Sequence, residues 1–465
     1  MESDQQKGRE GPQKRSPLDL IMNQIRRKTS FSERKKPSVG RLFRPSVSSD
    51  KNVDIPETKE TESSEGKDST GPGTESSDTD SEISSVVGWG RVKQFVQKLG
   101  KTPDTQSLSL AHCDLTATDV VELGTLLPFL AQLEVMDLSW NDLLGGSLKA
   151  LTVHLQHVSK LKVLKVSSCR LTAPDLTALG EGLDCIPLLE MLDLSWNAGV
   201  GGGNLHCLAK HLCSASSLRE LHLVDCQLSE ADAVTLGEVL PLLPCLEVLD
   251  LSSNKLMKKG IETVASSLSS TPQLKTLKLS MCALNQESLA MLVGEKLKFL
   301  PGLEHLDLSC NKESGGGFST VTTSLSLLTH LKCLDMHLCC LTEEDTLALE
   351  SACKRGALSQ LKLLDLSYNG SVGDGGWVSF FGGAAGLKEL QELDISLRPS
   401  ASLSASPWLP ALLDALPQLP SVHRLALQRW ALGPGDREKL EKALSKRTIA
   451  LECDQVSVSV AKVAG

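Results

Sequence analysis

Four side chains with metal-ligating chemistry fall within eight positions: His206, Cys207, His211 and Cys213. Imidazole and thiolate are the ligands zinc takes. Cys207 and His211 are four apart and share a helix face, but the other two point elsewhere, and the spacing matches no common zinc motif. The expectation is a helix packing face and no metal. Glycine clusters at Gly145-Gly146, Gly201-Gly202-Gly203, Gly315-Gly316-Gly317 and Gly373-Asp374-Gly375-Gly376 have the composition of loops that cradle phosphate. None carries the G-x-x-x-x-G-K-S/T spacing, and Gly100-Lys101-Thr102 lacks the upstream glycine because Phe95 stands there. Their recurrence points to turns that need φ > 0. No Ser/His/Asp or Cys/His arrangement has supporting context. Neither catalysis nor a cofactor is expected.

What positions these residues is a repeat. The text L-x-x-L-x-L-x-x-N/C-x-L recurs twelve times, starting at Thr105, Leu133, Leu161, Leu189, Leu218, Leu246, Leu274, Leu303, Leu331, Leu361, Leu390 and Val422. Leu at positions 4 and 6 is strand alternation, so both point inward. The second half of each unit has helical apolar spacing, as in Leu236, Leu240, Leu243 and Leu246. Parallel strands on one side and thicker helices on the other force curvature, so an α/β solenoid is expected, a horseshoe with a concave parallel sheet. The domains follow: a polar tail over 1–85, a capping helix in 86–104, the twelve-unit solenoid with its C-terminal capping helix over 105–446, and a tail over 447–465.

Position 9 alternates between Cys (Cys113, Cys169, Cys226, Cys282, Cys339) and Asn (Asn141, Asn197, Asn254, Asn311, Asn369). This alternation resembles the ribonuclease-inhibitor-like subclass of leucine-rich-repeat proteins, over roughly residues 100–445. The resemblance implies a protein-interaction scaffold and brings no catalytic residues. A long polar tail precedes the repeats here, unlike ribonuclease inhibitor, and ribonuclease binding is not carried over. The second reading is a regulator of another enzyme, inhibitor-like or GTPase-activator-like, although the strongly acidic region that follows the repeats in such activators is missing.

Each position-9 residue reads as a rung of a structural ladder. An Asn amide satisfies turn groups of the adjacent unit, and Cys is a smaller plug. Ladder cysteines recur every second unit, about 9.6 Å apart, beyond the roughly 7 Å that a disulfide spans. Reduced thiols, with no apolar run among the first 30 residues and no stretch of membrane-spanning length, point to the cytoplasm or nucleus. Asn369-Gly370-Ser371 has the form of a glycosylation site, but a ladder Asn should be buried.

A protein partner belongs on the concave face. Position 5 carries Asp137, Asp193, Asp250, Asp307, Asp335, Asp365 and Asp394. In the first half Lys165, His222 and Lys278 interleave them, whereas the last four run together and suit a basic partner. Trp140, Trp196 and Tyr368 at position 8 add ring types found at hot spots. A net charge of −9 argues against nucleic acid. Residues 1–46 carry 12 Lys+Arg against 5 Asp+Glu, and 47–85 carry 3 against 11. Such a chain is expected to be disordered. Ser30 and Ser46 lie in basic text and Ser76 and Ser77 in acidic text, all candidates for phosphorylation. This basic arm is expected to lie loosely on the late acidic surface until phosphorylated.

Overall fold

The computed structural model describes residues 91–98, 100, 104–255, 260–318, 327–445 and 447–454. The tail, with Ser30, Ser46, Ser76 and Ser77, lies outside the described residues, and so does its expected contact with the acidic surface. Three-residue strands form one parallel sheet whose order follows the chain from Ser107–Ser109 through Arg424–Ala426. Each strand is positions 3 to 5 of a unit, and partners pair position for position, as in Leu108 with Met136 and Leu364 with Leu393. A thirteenth strand, Ala450–Glu452, pairs with Arg424–Ala426. It lies in the stretch read from sequence as a tail, where no leucine pattern announces it.

Position-4 leucines are buried from Leu108 to Leu425 and meet the apolar sides of the return helices in one continuous core. The helices of the Cys-type units start with a capping box: Thr116 with Asp119, Thr172 with Asp175, Ser229 with Asp232, Asn285 with Ser288, Thr342 with Asp345. Such a pair satisfies helix N–H groups that lack an intrahelical partner. The solenoid ends are closed. Val92 and Val96 of the helix Arg91–Lys98 are buried, and Glu122 accepts from the Val92 and Lys93 amides. At the other end Trp377, Trp408 and Trp430 form a buried ring cluster, the closest pair 4.8 Å apart. The helix Pro434–Leu444 packs against the helix Leu409–Ala415, with Leu440 and Leu444 buried. Among the described residues no helix is long and apolar enough to cross a membrane.

Candidate functional site

The position-9 side chains tie each unit to the one before. Asn197 is fully buried; its Oδ1 accepts from the Cys169 and Leu171 amides and its Nδ2 donates to the Val166, Leu194 and Ser195 carbonyls. Asn141, Asn254, Asn311 and Asn369 repeat this set. Asn369 is 1% exposed, so the sequon asparagine is buried in the folded chain, as a ladder position requires. The cysteines are more than plugs. Cys169, Cys226, Cys282 and Cys339 each donate S–H to the position-6 carbonyl of the preceding unit, Leu138, Leu194, Leu251 and Leu308. Cys113 has no preceding repeat and stays half-buried, bonding to Ala111. Burial pushes Cys169 up to about 11 and Cys226, Cys282 and Cys339 up to about 12. At neutral pH such thiols are neither nucleophiles nor ready metal ligands. Trp430 takes the same slot in the last unit and donates Nε1 to the Ile395 carbonyl at 2.7 Å.

Three glycine loops already hold an anion, and it belongs to the protein. Asp175 accepts from the Gly146 and Leu148 amides, Asp232 from Gly203 and Leu205, and Asp345 from Gly316 and Phe318. All three carboxylates are 0–2% exposed and also cap their own helices. A phosphate would have to displace a buried, multiply bonded carboxylate. The His/Cys segment forms the helix His206–Leu212. There His211 Nδ1 bonds Asp184 at 2.9 Å, and Cys207 Sγ lies 3.6 Å from His206 Nε2. Among the described residues no three His, Cys, Asp or Glu side chains stand where one ion would reach them.

The concave face gathers the sequence-predicted acids into one row across the strands. Asp137, Asp193, Asp250, Asp307, Asp335, Asp365 and Asp394 each turn one oxygen back to the amide two residues on, at 2.8–3.1 Å. Each therefore caps its own strand exit, a duty absent from the sequence reading. In the first half Lys165 separates Asp137 from Asp193, and Lys278 Nζ lies 3.4 Å from Asp250. In the second half Asp307, Asp335, Asp365 and Asp394 are direct register neighbours. Arg424, 3.6 Å from Asp394 and shared with Glu392 and Glu452, stands at one end of this run, and Lys278 is the register neighbour of Asp307 at the other. Burial, together with Asp307, Asp365 and Asp394, raises Asp335 to about 7. Asp365 is raised too, chiefly by burial.

Position 8 forms the lip above the sheet. Its residues, Trp140, Trp196 and Tyr368 included, have φ of 50–69° in eleven units. The position-8 amide bonds the next unit, as Trp140 to Ser167 and Tyr368 to Ser396. Trp140 and Trp196 are 48% and 51% exposed, and the Tyr368 ring packs on His337 at 4.4 Å. Position 2 makes the opposite edge and was missed from sequence. Glu134, Lys162, Glu190, Arg219, Glu247, Lys275, Glu304 and Lys332 alternate in sign along it. Lys162 pairs with Glu134, Arg219 and Lys275 with Glu247, and Lys332 with Glu304. That alternation was readable in the sequence beside the Asn/Cys alternation.

The family described as "Leucine Rich repeat" matches residues 243–265. The chain is 28% identical to NLR family CARD domain-containing protein 4 of Bos taurus over 74% of its length and 31% of that protein's. It is 30% identical to the ribonuclease inhibitor of Sus scrofa over 60% of each. It thus spans less than two thirds of either relative. A chain of the yeast Rad7–Elc1 complex aligns over 77% of this chain and 83% of its own, at 17% identity and a TM-score of 0.48.

Proposed function

We propose that this chain is a non-catalytic scaffold that binds a basic protein partner on the concave face of its leucine-rich-repeat horseshoe. The carrying observation is the contrast between two rows. The position-2 edge alternates in sign and pairs Lys162, Lys275 and Lys332 with its own glutamates, whereas Asp307, Asp335, Asp365 and Asp394 stand side by side with cations at the two ends of the run, Lys278 and Arg424. Adjacent like charges cost free energy, which a cationic partner relieves. Asp137, Asp193 and Asp250, with the rings of Trp140, Trp196 and Tyr368, widen the contact surface. The same potential repels nucleic acid phosphates. The reduced, buried ladder thiols support a cytoplasmic or nuclear setting.

The test is capture from lysate on the full chain and on the chain with all four late aspartates changed to Asn. Asn keeps the Oδ1 acceptor for the strand cap and removes only the charge. Partners retained by the first chain and lost from the second support the reading; identical capture by both rejects it. The likeness to ribonuclease inhibitor favours a second reading, that the captured partner is an enzyme which the horseshoe inhibits or regulates. Assaying the partner's activity with and without this chain decides that point.

A further inference from the structure

His112 and Trp140 stack with centroids 5.3 Å apart and planes 11° from parallel. They are position-8 residues of neighbouring units, and 5.3 Å is close to the strand spacing of about 4.8 Å. The stacking direction therefore runs along the lip, and the second face of Trp140 looks to the next unit. That unit carries only half-buried Ser168 at this position. One unit further stands Trp196, with the same φ of 62° as Trp140 and nearly the same exposure. Two strand spacings separate the backbones that carry the two indoles by roughly 9.6 Å. A planar group held between two rings needs roughly 7 Å, a difference that modest side-chain tilts close.

We propose that Trp140 and Trp196 form a clamp, floored by Ser168, that takes the guanidinium of an arginine from a protein partner. The charges around it select a cation. Asp142 and Arg170 neutralise each other at 3.1 Å, Asp225 takes position 8 beyond Trp196, and Asp137 and Asp193 flank Lys165 in the sheet. Four carboxylates thus face two cations, which disfavours a phosphate-bearing base that would otherwise stack between the rings. Arginine fits better than lysine because its plane lies flat on a ring face. The clamp rests on the reading of the horseshoe as a protein-binding surface, but it uses the second to fourth units and none of the four late aspartates.

The test titrates the full chain with N-acetyl-Gly-Arg-Gly-amide and follows the indole N–H resonances. Lysine and citrulline tripeptides and a uridine tetranucleotide run in parallel. Trp140 and Trp196 should shift together, with citrulline, which keeps the shape and loses the charge, at least about five-fold weaker and lysine about three-fold weaker. Trp140→Ala, Trp196→Ala and Ser168→Leu should each weaken arginine binding about five-fold. Leu is already accommodated at position 8 with φ 55°, as Leu338, so Ser168→Leu fills the gap without disturbing the fold. Equal binding of citrulline, preference for the tetranucleotide, shifts at one indole only, or an unaffected Ser168→Leu chain overturns the clamp. A clamp that fails while capture still depends on the late aspartates leaves the concave reading standing; the reverse result rejects that reading and keeps the clamp.

Discussion

At the level of single residues, the sequence announced the ladder and hid the caps. LDLSWN displays the asparagine, and its period shows that it faces its neighbour. The aspartate two residues before the serine looks like a free surface charge. Its bond to that amide is set by the backbone path at the strand exit, which no residue type signals. Asn197→Ala leaves two amides and three carbonyls without their partner, so about 3–5 kcal/mol should be lost in urea unfolding. Cys226→Ala removes a weak donor and a small buried volume and should cost about 1–2 kcal/mol. Asp335 gives a pH signature. Its folded value near 7 exceeds the unfolded carboxylate value, so the folded chain holds the proton more tightly. Stability from this group is full below about pH 4 and is lost as pH rises through 7. Asp335→Asn should therefore melt higher than the wild type at pH 8, with the difference vanishing towards pH 4. A constant difference across that range contradicts this assignment. Iodoacetamide at pH 7.5 should modify exposed Cys213 and spare Cys169, Cys226, Cys282 and Cys339, as read by peptide mass mapping.

Elements were legible wherever Leu spacing switches from two to between three and four. Strands and return helices follow from it, and so does the turn role of the glycines. What the glycines turn around was not legible, because Asp232 lies 29 residues beyond the loop amide of Gly203 that it holds. Only parallel stacking of units brings the two together. Asp232→Ala should leave the Gly203, Leu205 and Ser229 amides unpaired, cost about 3 kcal/mol and speed hydrogen exchange at those amides selectively. The strand Ala450–Glu452 escaped notice for a related reason. It is held by the edge of Arg424–Ala426, by Glu452 on Arg424 and by Ile449, Leu451 and Cys453 packed on the core, without the spacing of a full repeat.

Across the whole molecule, the horseshoe concentrates unlike surfaces. One edge alternates in sign, the lip exposes rings, and the late concave face collects carboxylates that the fold brings within a strand spacing of one another. Composition reports only a net charge of −9 and cannot say where the imbalance sits. The central claim is that this imbalance binds. It is tested most directly by the salt dependence of affinity between the captured partner and two chains, wild type and the four-fold Asp→Asn chain at 307, 335, 365 and 394. The account predicts at least about ten-fold weaker binding by the variant at low salt and a flatter dependence of log Kd on log salt. Equal affinity and equal salt slopes for the two chains would contradict it.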